Sequence, residues 1–145
     1  MSNFQTLYIN RPLLNGQDLY NWAEQQHFTN LLLPKYMHTT IINSRLPFDI
    51  SNISKLNDTI IVYQPLDLKI TKFNDALVLV FVHDELHSRW QEMCDCGASW
   101  DFQQYQPHIT LSYSSTSSHI NENMISAYTG KLVFGPEIWQ ILDEE

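Results

Sequence analysis

Residues 105–113 read Tyr-Gln-Pro-His-Ile-Thr-Leu-Ser-Tyr. Pro107 marks an entry point, and Ile109, Thr110, Leu111 and Tyr113 favour an extended strand. Side chains on a strand alternate between faces, so His108, Thr110 and Ser112 share one face and Ile109, Leu111 and Tyr113 the other. The second face can pack. The first presents an imidazole and two hydroxyls, a set suited to holding a phosphate. Seventy residues earlier (108 − 38) the pattern recurs as Met37-His38-Thr39-Thr40-Ile41.

The flanks of the two motifs repeat as well. A strand ending LYIN, a helix QDLYNWAEQQ and a loop precede MHTTI; a strand LVLVFV, a helix DELHSRWQEM and a loop precede PHITL. Tyr8 lies 30 residues before His38, and Val80 lies 28 before His108. The repeat is one of pattern and not of identity. It predicts an α+β fold of two pseudo-symmetric lobes, whose antiparallel sheets line a central groove with helices packed outside. Each lobe contributes one His-x-Thr strand, and residues 1–145 form one domain.

The remaining elements follow from periodicity and breakers. Strands are predicted over Phe4–Asn10, Tyr36–Asn43, Asp58–Gln64, Leu66–Phe73 and Ala76–His83, with Asn74-Asp75 as a tight hairpin connection. Arg11-Pro12 and Asn15-Gly16 read as breakers. Helices are predicted over Gln17–Gln26 and Asp84–Cys96, the second closed by Gly97. Arg45–Lys55, interrupted by Pro47, reads as a surface excursion. Ser114–Ser118 reads as a turn, Asn121–Tyr128 as a short helix, and Leu132–Leu142 as two strands bent at Gly135-Pro136.

Composition excludes several function classes. The chain has 145 residues and a mass of 17.0 kDa, long enough to bury a core. With 43% hydrophobic and 17% charged residues it is not a disordered chain. No apolar run approaches the roughly 20 residues of a membrane helix, and the N-terminus lacks the basic and apolar regions of a secretory signal. The expected location is the cytoplasm, that of the host cell if the protein is viral. Eight Lys and Arg against sixteen Asp and Glu give a net charge of −8, so long nucleic acids are repelled. A small anionic ligand in a locally tuned pocket is compatible with that charge. Cys94 and Cys96 read as reduced thiols.

Two histidines can divide the work at a phosphodiester. With an unperturbed pKa near 6.5, one imidazole can accept a proton from the attacking hydroxyl while the other protonates the leaving oxygen. Each role contributes roughly 10²–10⁴-fold in rate. A threonine two positions on points the same way and can hydrogen-bond a non-bridging oxygen. A neighbouring ribose 2′-OH would be a built-in nucleophile, and the arrangement demands neither metal nor cofactor. One His-x-Thr strand alone is more simply a satisfied histidine; the pair carries the inference. Which histidine is base and which is acid is open at this level.

His38-Thr39-Thr40-Ile41 and His108-Ile109-Thr110-Leu111 resemble the paired motifs of the two-histidine (2H) phosphoesterase superfamily. Leu19–Ala23, Asn43-Ser44-Arg45, Tyr105–Tyr113 and Phe134-Gly135-Pro136-Glu137 look like the viral anti-CBASS phosphodiesterases, phage proteins that degrade cyclic di- and trinucleotide signals of bacterial immunity, cGAMP among them. The similarity runs over nearly the whole chain. It implies metal-independent cleavage of 3′–5′ linkages, with His38 and His108 as the acid/base pair and Thr40 and Thr110 on the phosphate. It also implies Tyr8 as a base-stacking aromatic and Glu137 as an acidic residue that contacts a base or orients the site. Arg45 is a candidate phosphate contact, and Phe73 and Tyr63 are candidates for a second stacking aromatic. The expected partner is a small cyclic oligonucleotide, with no obligate protein partner. Alternatives are an RNA 2′,3′-cyclic phosphodiesterase or 2′-5′ RNA ligase-like enzyme, and a non-catalytic sponge.

Other chemistry-bearing residues read as structural. His83 and His87 stand at i and i+4 on a helix, a spacing that can bind zinc, but a third ligand is not evident. Trp22, Trp90 and Trp139 read as core, Arg89 as structural or phosphate-binding, and His27 and His119 as exposed loop residues.

Overall fold

The computed structural model describes residues 3–73, 76–113 and 125–142. The chain runs β1 (Phe4–Pro12), α1 (Gly16–Gln25), β2 (His38–Asp49), β3 (Ile60–Val62), β4 (Leu66–Phe73), β5 (Ala76–Val82), α2 (Asp84–Asp95), β6 (His108–Ser112), β7 (Leu132–Phe134) and β8 (Ile138–Ile141). One turn of 3₁₀ helix, Pro34–Tyr36, precedes β2. The expected turns at residues 74–75 and 114–118, His119 and the start of the expected helix 121–128 lie outside the described residues. Residues 125–128 are irregular, not helical.

Two three-stranded antiparallel sheets form the lobes, ordered β2-β1-β8 and β4-β5-β6, with β3 and β7 pairing as a ribbon. β6 lies beside β2, so the two His-x-Thr strands are neighbours across the lobe boundary. Alternation along β6 buries Ile109 and Leu111 and leaves His108 and Thr110 half-exposed. β2 does the same with Thr39 and Ile41 inside and His38 and Thr40 on the groove side. The apolar faces meet in one core that includes Leu7, Ile9, Leu19, Phe81, Leu86 and Phe134.

Two expected breaks do not break the sheet. β1 continues through Arg11 and Pro12, which pair with Thr39 and His38. β8 accompanies β1 only as far as Asn10, so Pro12 removes no donor from that side. β2 runs on to Asp49 instead of leaving the sheet at Arg45. Between the pairs Leu7–Ser44 and Gln5–Phe48 the β2 strand carries three residues against one, and this irregularity on an edge strand accommodates Pro47. The long apolar and β-branched runs at 66–73 and 76–82 form strands as expected.

Both helices end alike. After α2, Gly97 has φ +101°, its N–H bonds the Cys94 carbonyl at 3.0 Å and the Ala98 N–H reaches Met93 at 3.1 Å. After α1, His27 takes the same left-handed conformation (φ 66°), with His27 bonded to Glu24 at 2.9 Å and Phe28 to Ala23 at 3.2 Å. Each is a Schellman cap, and it turns the chain back toward its His-x-Thr strand. Gly16 opens α1 under the Pro34 backbone, where a Cβ would come within 2.6 Å of the Pro34 carbonyl oxygen. The approach of α1 to the segment entering β2 therefore depends on glycine.

Candidate functional site

The two histidines occupy equivalent positions at the start of their strands. His38 Nδ1 donates to the Tyr36 carbonyl at 2.8 Å, and His108 Nδ1 donates to the Gln106 carbonyl at 2.9 Å. In both cases the acceptor lies two residues upstream, in the extended approach to the strand. A carbonyl cannot donate, so each neutral ring carries its proton on Nδ1 and has Nε2 as its basic nitrogen. The sequence repeat thus extends to the hydrogen bond that orients each ring.

Burial pushes the His108 pKa down from 6.5; the bond to the Gln106 carbonyl opposes this, and the nearby His38 adds to the lowering. The edge of the Phe73 ring faces the His108 ring, with centroids 5.3 Å apart at 74°.

A cleft of about 840 Å³ opens at His108, within the size range of small-molecule sites. Tyr8, Thr40, Phe73, Trp100, Phe102 and Gln106 are among its walls. Tyr8 and Thr40 are linked through their hydroxyls at 3.2 Å, and burial raises the Tyr8 pKa. Thr110 is half-buried on the same strand face as His108. His38 lines an adjoining cavity of about 400 Å³.

The other site candidates lie elsewhere. Arg45 is exposed and pairs with Asp101, a residue of the cleft rim, at 3.1 Å. Glu137 is 1% exposed and lines neither cavity. Its two oxygens accept from Arg89 Nε (2.8 Å) and Nη2 (2.9 Å), from the Leu56 amide (3.1 Å) and from Trp139 Nε1 (3.1 Å). Burial alone would raise its pKa, but the Arg89 bonds and the other donors outweigh it and hold the carboxyl below its ordinary value. Arg89 is the structural residue of that pair, also bonding the Ser54 carbonyl and Glu92. Phe73 joins the cleft, whereas Tyr63 is 69% exposed outside it.

Sequence reasoning missed Trp100 and Phe102 as site aromatics, because they stand in the irregular loop 96–107, where no periodicity assigns a face. Their signal is composition: Trp100, Phe102 and Tyr105 crowd the eight residues before β6. It also missed Arg11, which is buried at 1% exposure and joins Asp58 and the Gly135 carbonyl. Trp22, Trp90 and Trp139 pack against the core, and His87 lies against Trp90 and Tyr105. Among the described residues, no three His, Cys, Asp or Glu side chains are grouped to hold a metal, and no helix is long and apolar enough to cross a membrane.

The fold is shared with LigT. Escherichia coli LigT in its crystal structure complexed with 3′-AMP superposes with a TM-score of 0.56 at 10% identity, covering 95% of this chain and 88% of that one. Apo LigT gives 0.52 at 12% identity, covering 98% and 96%. In sequence, the chain is 34% identical over 144 residues to an Anti-CBASS protein Acb1 of Caulobacter sp. (strain RHG1), and 33% over 152 residues to one of Sphingomonas paeninsulae. These matches cover 95% and 96% of this chain but 23% of each relative, so the chain spans about a quarter of their length. An Anti-CBASS protein Acb1 of Escherichia phage RB16 is 36% identical over 87 residues, 59% of this chain and 49% of that protein. The family described as Anti-CBASS protein Acb1 matches residues 5–145. With both histidine strands inside that match, the chain belongs to the Anti-CBASS protein Acb1 family.

Proposed function

We propose that this chain is a metal-independent phosphodiesterase that opens 3′–5′ linkages of cyclic di- and trinucleotides, through which a phage evades CBASS defence. The observation that carries the reading is the matched pair of oriented imidazoles, His38 and His108, each held through Nδ1 on neighbouring strands. His108, whose pKa is lowered by burial, accepts the proton of the ribose 2′-OH. The 2′ oxygen attacks phosphorus, and the P–O5′ bond breaks. His38 protonates the departing 5′ oxygen, leaving a 2′,3′-cyclic phosphate that water can open in the reverse sense. Thr40 and Thr110 hydrogen-bond the non-bridging oxygens, where charge builds in the transition state. Tyr8 stacks on a base at the cleft wall, and Arg45 stands at the rim. Both proton transfers are done by side chains, so the reaction needs no cation.

The test is incubation with 3′,3′-cyclic dinucleotides and with an RNA 2′,3′-cyclic phosphate in EDTA, with the products resolved. Turnover of the cyclic dinucleotide in chelator is expected. His38→Ala and His108→Ala should each lower it by about 10²–10⁴-fold while the protein stays folded. Binding without turnover would make the protein a sponge, and turnover of the RNA end alone would make it an RNA-processing enzyme.

A further inference from the structure

His38 lines a cavity of about 400 Å³ whose other walls the chemistry above does not use. Along β1, Tyr8, Asn10 and Pro12 alternate onto one face, and Asn10 and Pro12 stand opposite Thr40 and His38 of β2. Tyr8 and Thr40 wall the larger cleft, while Asn10, Pro12 and His38 wall the smaller cavity. The two hollows therefore adjoin along one groove, with the His-x-Thr strand between them.

Their linings differ in charge. The larger cleft is aromatic, and its acid, Asp101, is paired with Arg45. Among the described residues, the smaller cavity carries the cation Lys35 and no carboxylate. Two tyrosines join it, and both are largely uncovered: Tyr36 is 56% and Tyr113 60% exposed. The Lys35 ammonium sits 5.1 Å from the centre of the Tyr36 ring. In a chain of net charge −8, a solvent-facing aromatic pair with one ammonium and no acid is suited to a nucleoside and its phosphate.

We propose that this Lys35–Tyr36–Tyr113 cavity is a second nucleotide subsite, which takes the distal nucleoside of a cyclic dinucleotide and the phosphodiester that is not being cut. The inference rests on the proposed function. A cyclic dinucleotide spans both hollows, with one base against Tyr8 and Phe73 and the second against Tyr113 or Tyr36. Lys35 meets the uncut phosphate. A 2′,3′-cyclic mononucleotide fills the larger cleft alone. The cavity therefore sets the preference for cyclic dinucleotides over single nucleotides.

Two measurements on Tyr113→Ala and Lys35→Ala test it, both side chains being exposed enough to be removed without touching the core. The first is calorimetric affinity for a non-hydrolysable phosphorothioate cyclic dinucleotide. The second is the ratio of kcat/KM for the cyclic dinucleotide over a 2′,3′-cyclic mononucleotide. Loss of a stacking ring should weaken binding and lower the ratio about tenfold, and loss of Lys35 should also flatten the salt dependence of binding. Lys131→Ala, which removes one positive charge outside both hollows, should change neither. Unchanged affinity in both variants, or an equal fall for both substrates, overturns the subsite and leaves the proposed function standing. If the wild type binds the phosphorothioate without cleaving its natural counterpart, the catalytic reading fails and the affinity series still judges the subsite. If it does not bind cyclic dinucleotides, both fall.

Discussion

Tyr105 donates its hydroxyl proton to the backbone carbonyl of Thr40 across 2.7 Å. The donor precedes one His-x-Thr strand and the acceptor lies within the other, 65 residues apart. Tyr105 is buried and stacks on Trp90 at 5.4 Å and 12°, and its burial drives the phenol pKa far upward, so it stays a donor. Other links between the lobes include Leu32 N–H to the Leu111 carbonyl at 2.7 Å, and the Arg45 and Leu46 amides donating to Ser99 Oγ at 3.0 and 3.2 Å.

Tyr105→Phe keeps the ring and deletes the bond. The Thr40 carbonyl then loses a buried partner, at a cost of about 1–2 kcal/mol in chemical denaturation. Because Tyr105 is a positioning residue, kcat should fall several-fold at a temperature where the variant is fully folded, with KM little changed. An unaltered kcat would reduce the bond to a structural one.

The pH profile reports on His108. In the proposed role of base it must be unprotonated, and burial lowers its pKa. The acidic limb of kcat/KM should therefore lie below pH 6.5. Phe73→Ala, which lets water reach the ring, should move that limb upward toward 6.5. A limb already above 6.5 in the wild type would reverse the acid and base assignments.

Phe102 is 71% exposed on the cleft wall. If its ring stacks on a base, Phe102→Ala should raise KM by about 5- to 100-fold, matching roughly 1–3 kcal/mol, without altering the denaturation midpoint. A KM within twofold of wild type would remove it from the substrate site.

Glu137→Gln tests the pairing with Arg89. Removing the buried charge leaves Arg89 with Glu92 alone among its carboxylates, and stability should fall by about 3 kcal/mol. The same pair makes stability pH-dependent. Glu137 is depressed in the folded state, so its contribution is complete above its ordinary pKa of 4.5 and is lost as pH falls below that value. Gln at 137 should flatten that acid limb. A variant with normal stability and a raised KM would instead place Glu137 on the substrate.

Much of the site was legible because strand periodicity is local. His108 with Thr110, and His38 with Thr40, share a face through the pleat itself, and the apolar residues between them must turn inward. Helix ends were legible for a similar reason: Gly97 suits a left-handed cap. His27 in that same conformation was not, since an imidazole there carries no equivalent signal. The extension of β2 past Pro47 depends on its being an edge strand, which pairing alone decides.

Residue order along the chain determined two equivalent histidine strands, two helices closed behind them and a charge that repels long nucleic acids. Tertiary structure decided which groups surround each histidine. Loop 96–107 carries Trp100 and Phe102 to the cleft through contacts distant in sequence. Glu137 meets Arg89 across 48 residues and is drawn into the interior by its donors. The two imidazoles, interchangeable in the sequence, line different hollows in the fold because the groups around each depend on packing. Packing partly buries His108 at the larger cleft and sets His38 on the smaller cavity.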